Sequence, residues 1–353
     1  MRPEERAAKL RDAGLMLVGG FLLGWAPVRL GLASVNGWLV GIPIAIGLLI
    51  GLSGVAVLTE FSVYGKALRL WLSYTALIAL AAILIGPMIW MLLISLHPPK
   101  SPIPPLAETL PVRSVVDVAT GHTRIVPDLH WENYDTVLNN PTLPVRRFFA
   151  NTVFVTFTVV FFQLLISSLC AYGLSRLRFR GRDAIFALFI GSLMFAGQVT
   201  QIPVYLMLRS FGWLDTYWAL IVPGVSSAFS VFLLRQFFLQ IPFELDEAAR
   251  LDGANDFTIY WRVILPLSRA ALATAGAFTF FGVWTDFFNP LIYTNSTEMR
   301  TLEVGLSVFK NSYGGNNWPL EMTAALIVMT PLLVVFLFLQ RYFTRGIMLG
   351  SIK

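Results

Sequence analysis

The sequence predicts an all-α polytopic membrane protein of about eight transmembrane helices, and three observations carry that prediction. Hydrophobic residues fill 56% of 353 positions and charged residues only 13%. The mean hydropathy of +0.69 is beyond what a soluble domain keeps in solution. Runs free of Lys, Arg, Asp and Glu last about 20 residues, enough to cross roughly 30 Å of hydrocarbon at about 1.5 Å per residue. The short alternating segments of a strand barrel are absent from the sequence, so the spans are helices.

Taken in order, the first two spans are expected at 13–28 and 38–58. Residues 1–12 carry charge ahead of an apolar run, as a signal peptide does. No small-residue cleavage site leads into a soluble domain, so a retained anchor is expected. Both spans are glycine-rich, and the pairs Gly20/Gly24, Gly37/Gly41 and Gly47/Gly51 have the spacing that lets helix backbones approach closely. The third span is expected at 70–96. A long loop follows, 97–147, opening with a proline-rich stretch at 98–105 that resists helix and acts as a stiff spacer. Within it, Trp131, Glu132, Asn133 and Tyr134 begin a short amphipathic element. The remaining spans are expected at 148–174, 184–208, 216–234, 270–293 and 322–340, with Asp286 interrupting the seventh.

Charge sorts by membrane side. Of the 26 Lys and Arg residues, 17 fall in the N-terminal tip, three loops (66–69, 176–182 and 235–269) and the C-terminal tail, while 4 fall in the short loops opposite and 5 in the loop 97–147. This bias puts both termini in the cytoplasm, and the net charge of +6 is therefore no sign of nucleic-acid binding. Cys170 is the single cysteine, which excludes an intrachain disulfide and a cysteine-based metal site. His97, His122 and His130 lie in one polar loop and suggest neither catalysis nor a metal. No P-loop, HExxH helix or GxSxG elbow occurs, so the chain is not expected to be an enzyme, and no cofactor is expected.

The segment 241–268 is too long for a turn and too rich in helix formers for a linker. Pro242 suits a first helical turn, and Glu244, Asp246 and Glu247 suit its positive end. Leu245, Ala248, Ala249 and Asp252 recur at helical spacing and make a face of low relief. Gly253 is the expected stop, because it accepts a positive backbone angle. A second short helix, about 255–264, is expected to lay Phe257, Tyr260, Trp261 and Ile264 against the membrane body, and Pro266 redirects the chain into the next span.

The run Glu247-Ala248-Ala249, Gly253 and Val263-Ile264-Leu265-Pro266 resembles the EAA loop of permease subunits in binding-protein-dependent bacterial ABC importers. The family pattern has Ile where this chain has Val263. Three further segments resemble the carbohydrate branch, in particular its maltose-type G permeases: 171–182 (AYGLSRLRFRGR), Trp284-Thr285-Asp286-Phe287, and 341–346 (RYFTRG). The resemblance covers about 70–353, so residues 1–69 are two extra helices ahead of a six-helix core.

That resemblance implies a sugar-importing permease of the bacterial inner membrane. Its partners would be a second, F-type permease, a cytoplasmic ATPase dimer and an extracytoplasmic solute-binding protein. Glu247, Ala248, Ala249, Arg250, Leu251, Asp252, Gly253, Ala254, Leu265 and Pro266 would form the ATPase-docking segment, and 350–353 resembles the tail that reaches toward the ATPase interface. The loop residues Asn311, Tyr313, Asn316, Asn317 and Trp318 would meet the binding protein. Gln198, Thr200, Gln201, Trp284, Asp286 and Asn289 are candidates for the translocation path. Two readings stand for Asp286: it polarises the route, or it bonds neighbouring helices. A different cargo and an ion-coupled secondary transporter are the competing functions. The second is disfavoured by the lone intramembrane acid and the lack of an obvious repeat. The extra helices and the long loop 97–147 are more reminiscent of the F-type partner.

Overall fold

The computed structural model describes residues 65–102, 109–116, 123–141, 143–312 and 317–348. The expected spans at 13–28 and 38–58 and the tail at 350–353 lie outside the described residues. The chain divides into two compact units between Met91 and Leu92. The described part of the first is helical and belongs to α1, Gly65–Ser95, whose Leu77, Ile78 and Leu84 are exposed as lipid-facing side chains are.

In the second unit the loop holds a two-stranded antiparallel ribbon, β1 Val112–Val116 and β2 Thr123–Pro127, with Ser114 opposite Ile125. The ribbon is a local addition to a mostly helical chain: β-branched residues on both arms favour pairing over helix. The short element expected at 131–134 is α2, Glu132–Leu138. Its buried Asn133 donates to the carbonyls of Ser95 (2.7 Å) and His97 (2.9 Å), tying the loop to the end of α1.

The long α3, Val145–Arg176, is the central helix. The expected span at 184–208 is not continuous. It is α4, Arg182–Ser192, and α5, Gly197–Ser210, bent by 100°. Tight bonds close α4, from Leu193 N to Ile190 O (3.1 Å) and Met194 N to Gly191 O (3.1 Å), which is how a helix ends when its last carbonyls turn to nearer donors. The next span contains α6, Tyr217–Ile221, a 3₁₀ turn at Val222–Val225, and α7, Ala228–Phe238. Pro223 removes a donor at the turn, and the Ser227 side chain caps α7 by accepting from Ser230 N.

The segment between spans forms α8, Glu244–Leu251, and α9, Asp256–Leu267. After a 79° bend comes α10, Arg269–Trp284, and then α11, Phe288–Tyr293, α12, Leu302–Ser312, and α13, Trp318–Met348. Among the described residues four helices are long and apolar enough to cross a membrane, or six if each bent pair counts as one span. The count of about eight thus rests on two runs outside the description.

Two apolar clusters hold the unit together. One gathers Val137, Phe148, Phe280, Trp284, Leu302 and Leu320 from α2, α3, α10, α12 and α13. The other gathers Ala171, Tyr172, Leu234, Phe238, Tyr260 and Ile264 from α3, α7 and α9. Between them Gln163 donates to the Ser230 hydroxyl at 2.8 Å, a buried polar bond between α3 and α7.

Asp215 secures the loops at the end of α11. It sits at φ +60° and accepts from the Asn295 and Ser296 amides (2.9 and 3.0 Å) and the Ser296 hydroxyl (3.0 Å). Burial pulls its pKa up, but those donors outweigh burial and hold it below the usual carboxylate value. A depressed folded-state pKa stabilises the fold above the unfolded value, and that contribution is lost as pH falls through the folded one. Asp215→Asn is therefore expected to lower the melting temperature at neutral pH, with the gap to wild type closing in acid; melting in detergent across pH checks this.

Candidate functional site

The segment expected to dock begins where the chain leaves α7. Glu244, Asp246 and Glu247 occupy the first turn of α8, where the unpaired amides favour negative charge. At its other end Gly253 adopts φ +85°. Ala254 N donates to Ala249 O (2.9 Å) and Gly253 N to Arg250 O (3.0 Å), the paired bonds of a Schellman stop. Asn255 then caps α9, accepting from Thr258 N at 2.8 Å, and Arg250 bridges the turn to Asp256 at 2.6 Å.

The expected second helix is present but carries a π turn at Tyr260–Ile264, with Leu265 N donating five residues back to Tyr260 O. Pro266 follows and supplies no amide. This turn changes which aromatics face inward. Tyr260 and Ile264 are buried, as expected, but Phe257 and Trp261 are 65% and 56% exposed, their rings nearly parallel with centroids 6.4 Å apart. Placing all four against the body was wrong for those two.

The residues expected to dock fall into two groups. Glu247, Ala248, Arg250, Leu251, Asp252, Gly253 and Pro266 are exposed, Leu251 at 89%. Ala249, Ala254 and Leu265 are partly buried and pack on the second apolar cluster. The outer group therefore stands on a fixed base.

The base is fixed by residues whose contacts the sequence did not disclose. Arg176, at the last turn of α3, is buried; its guanidinium donates to Phe238 O and to Ile241 O (2.5 and 2.7 Å) and lies 3.4 Å from the Asp246 carboxylate. It also sits 4.4 Å from the centroid of the Phe243 ring. Burial pushes the Asp246 carboxyl above its ordinary pKa, against the pull of Arg176. Tyr172 donates to Asp256 O (3.0 Å), and the Ser168 and Tyr260 hydroxyls bond at 2.8 Å. Three successive turns of α3 thus grip both short helices. In sequence, Arg176 counts only toward charge bias and the family segment; its one local signal is a cation closing a long apolar helix.

The path candidates are dispersed. Asp286 lies in the break between α10 and α11 and caps α11, accepting from Asn289 N (3.2 Å) and Asn289 Nδ2 (2.8 Å). Both residues line a cavity of about 120 Å³ with Thr152, Thr156, Tyr293 and Thr301. The buried hydroxyls of Thr156 and Thr301 have no hydrogen-bond partner among the described residues. Trp284 does not line that cavity: it is buried, donates to Val328 O (3.1 Å) and stacks on Phe280, so it packs helices together. Gln198, Thr200 and Gln201 lie in the first turns of α5 and also stand apart from the cavity.

Of the loop residues, Tyr313 and Asn316 lie outside the described residues, and Asn311 is in α12. Asn317 is turned inward rather than outward: it is buried, and its side-chain oxygen accepts from Lys100 N at 3.0 Å. Trp318 opens α13 and is half-buried.

Residues 145–349 match the family described as binding-protein-dependent transport system inner membrane component. The arabinooligosaccharides transport system permease protein AraQ of Bacillus subtilis is 31% identical, over 83% of this chain and 98% of its own. The trehalose/maltose transport system permease protein MalG of Thermococcus litoralis is 34% identical, over 63% and 81%. Among solved structures, a bacterial ABC transporter involved in the import of the acidic polysaccharide alginate superposes with TM-score 0.63 at 25% identity, covering 80% of this chain and 99% of that one. The matched region contains α3 through α13 with the gripped segment at its centre, and the chain belongs to the binding-protein-dependent transport system inner membrane component family.

Proposed function

We propose that this chain is the permease subunit of an ATP-driven importer for a sugar or oligosaccharide, and that α8 with its Gly253 turn docks on a separate ATPase. The observation that carries this reading is the exposed set Glu247, Ala248 and Arg250 to Gly253 mounted on a base gripped by α3. A short helix held at both ends moves as a rigid body with the helix that holds it, which is what alternating access requires of a coupling element. The carbohydrate names of the relatives support the cargo. In this reading residues 70–353 form the transport core and 97–147 face the binding protein, which also meets the loop around Asn311–Trp318. Both termini are cytoplasmic and 1–69 add two helices. A second permease completes the path and covers part of the apolar surface at the bend between α4 and α5, where Met194, Phe195 and Ile202 are more than two-thirds exposed.

The test is pull-down of the ATPase and ATP-driven uptake with the assembled importer. Glu247→Arg and Leu251→Asp change exposed side chains, so the chain is expected to reach the membrane normally. ATPase recovery and uptake are both expected to fall at least tenfold, the scale of about 1.4 kcal/mol of lost contact. Uptake that survives both changes rejects the docking role. Uptake sustained by an ion gradient without ATP would replace it with secondary transport.

A further inference from the structure

A second feature lies between α3 and α4, away from the docking row. The chain turns through Gly181 at φ +89° and places Arg178, Arg180 and Arg182 within five residues. Arg182 lies 3.2 Å and Arg235 3.8 Å from the Asp183 carboxylate, so the acid at this corner is already answered by cations. Arg178 and Arg180 are exposed, and neither makes an ion pair or side-chain hydrogen bond to another described residue. Arg178, Phe179, Gly181, Arg182, Asp183 and Ala184 line a shallow recess of about 390 Å³.

The faces of α4 differ. On one side Phe186 stacks on Phe232 of α7 and carries the Arg235 guanidinium over its ring at 3.8 Å from the centroid. On the outer side Ile185 and Leu188 are exposed, as is Phe179 beside the recess. Cations therefore rim an apolar strip at the end of a candidate membrane span.

We propose that this recess binds the headgroup of an anionic phospholipid, its phosphate held by Arg178 and Arg182 and its acyl chains lying along Phe179, Ile185 and Leu188. Arginine matches phosphate through paired N–H donors, and its stem spans the apolar-to-polar boundary while the charge stays in the headgroup layer. A soluble anion would use the arginines and leave the strip unexplained. Basic recesses at the membrane boundary bind anionic headgroups on this principle.

The test uses the full chain in its assembled importer, delipidated in uncharged detergent and titrated with phosphatidylglycerol or phosphatidylcholine, with bound lipid counted by native mass spectrometry. Phosphatidylglycerol is expected to bind in preference. Arg178→Gln with Arg182→Gln is expected to weaken it roughly 30-fold, at about 1 kcal/mol per arginine near an anionic surface. Lysine at both positions should keep most of the binding, and Phe179→Ala should weaken it in every charge background. Excess inorganic phosphate is expected to leave the lipid in place. Equal binding of the two lipids, equal binding by wild type and the glutamine pair, or full displacement by phosphate overturns the proposal. So does loss of the ATPase from the glutamine pair with lipid binding unchanged, which would make the recess a protein contact.

Discussion

Replacing Arg176 with methionine is expected to destabilise the folded chain by about 3–5 kcal/mol and, under the proposed docking role, to break the link between ATP hydrolysis and uptake. The stability loss follows from burial: removing one partner of a buried ion pair strands the other. Both side chains of the Arg176–Asp246 pair are at least nine-tenths buried. The Ile241 carbonyl would also lose its Arg176 donor, an orphaned group costing about 1–3 kcal/mol if water cannot reach it, while the Phe238 carbonyl would lose one of two donors and keep the Ile241 amide at 3.2 Å. The double change Arg176→Met with Asp246→Leu removes both charges and is expected to recover part of the loss, the remainder belonging mainly to the Ile241 carbonyl.

The pH dependence carries its own sign. Asp246 already titrates above its ordinary pKa in the folded chain, and without Arg176 it rises further. A raised folded-state pKa means the folded chain takes up the proton first, so the deficit of Arg176→Met is largest above that pKa. It shrinks as pH falls through that value toward the ordinary carboxylate range. Melting in detergent across pH measures this. A deficit that does not change with pH would show that Asp246 is not the stranded charge. Under the proposed docking role, variants that fold are expected to keep ATP hydrolysis while uptake per ATP falls, because the row from Glu247 to Gly253 has lost its grip on α3.

The second large effect is expected at Gly305. A Cβ placed there would collide with the Cδ2–Cε2 edge of the Phe148 ring, and Phe148 is fully buried against the α10–α13 core. Interiors are packed at crystal density and yield little, so forced overpacking costs about 1–3 kcal/mol, occasionally more. Gly305→Ala should reach that range and Gly305→Val exceed it. Phe148→Leu removes the edge of the ring and is expected to be less harmful in the Gly305→Ala background than in wild type. A double-mutant cycle on melting temperature reads this coupling. Additive losses would mean that α12 simply moves away from α3.

Much of this protein is local and was legible in sequence. A span needs an unbroken apolar run, and those of α3 and α13 agree with their expected positions to within a few residues. The stop of α8 needs one residue at positive φ, and Gly253 supplies it. The helix start at Glu244–Glu247 needs acids near free amides, and the order of residues shows that directly. The family segments added what spacing could not, the class of machine to which such a loop belongs.

What only the tertiary structure decided depends on partners far along the chain. Arg176 meets carbonyls 62 and 65 residues away, and no periodicity announces such a meeting. Trp284 sits beside the polar Thr285 and Asp286 in sequence, yet its indole is committed to Val328 on another helix. Phe257 and Trp261 share a helical spacing with Tyr260 and Ile264, and a single π turn separates the pairs into an outer and an inner set. The bend between α4 and α5 lies within an apolar run whose hydropathy is the same for a straight helix and a broken one. Hydropathy measures transfer from water, which is a sum over residues and survives rearrangement. Direction, burial and pairing are properties of contacts, and these exist only once the helices have packed.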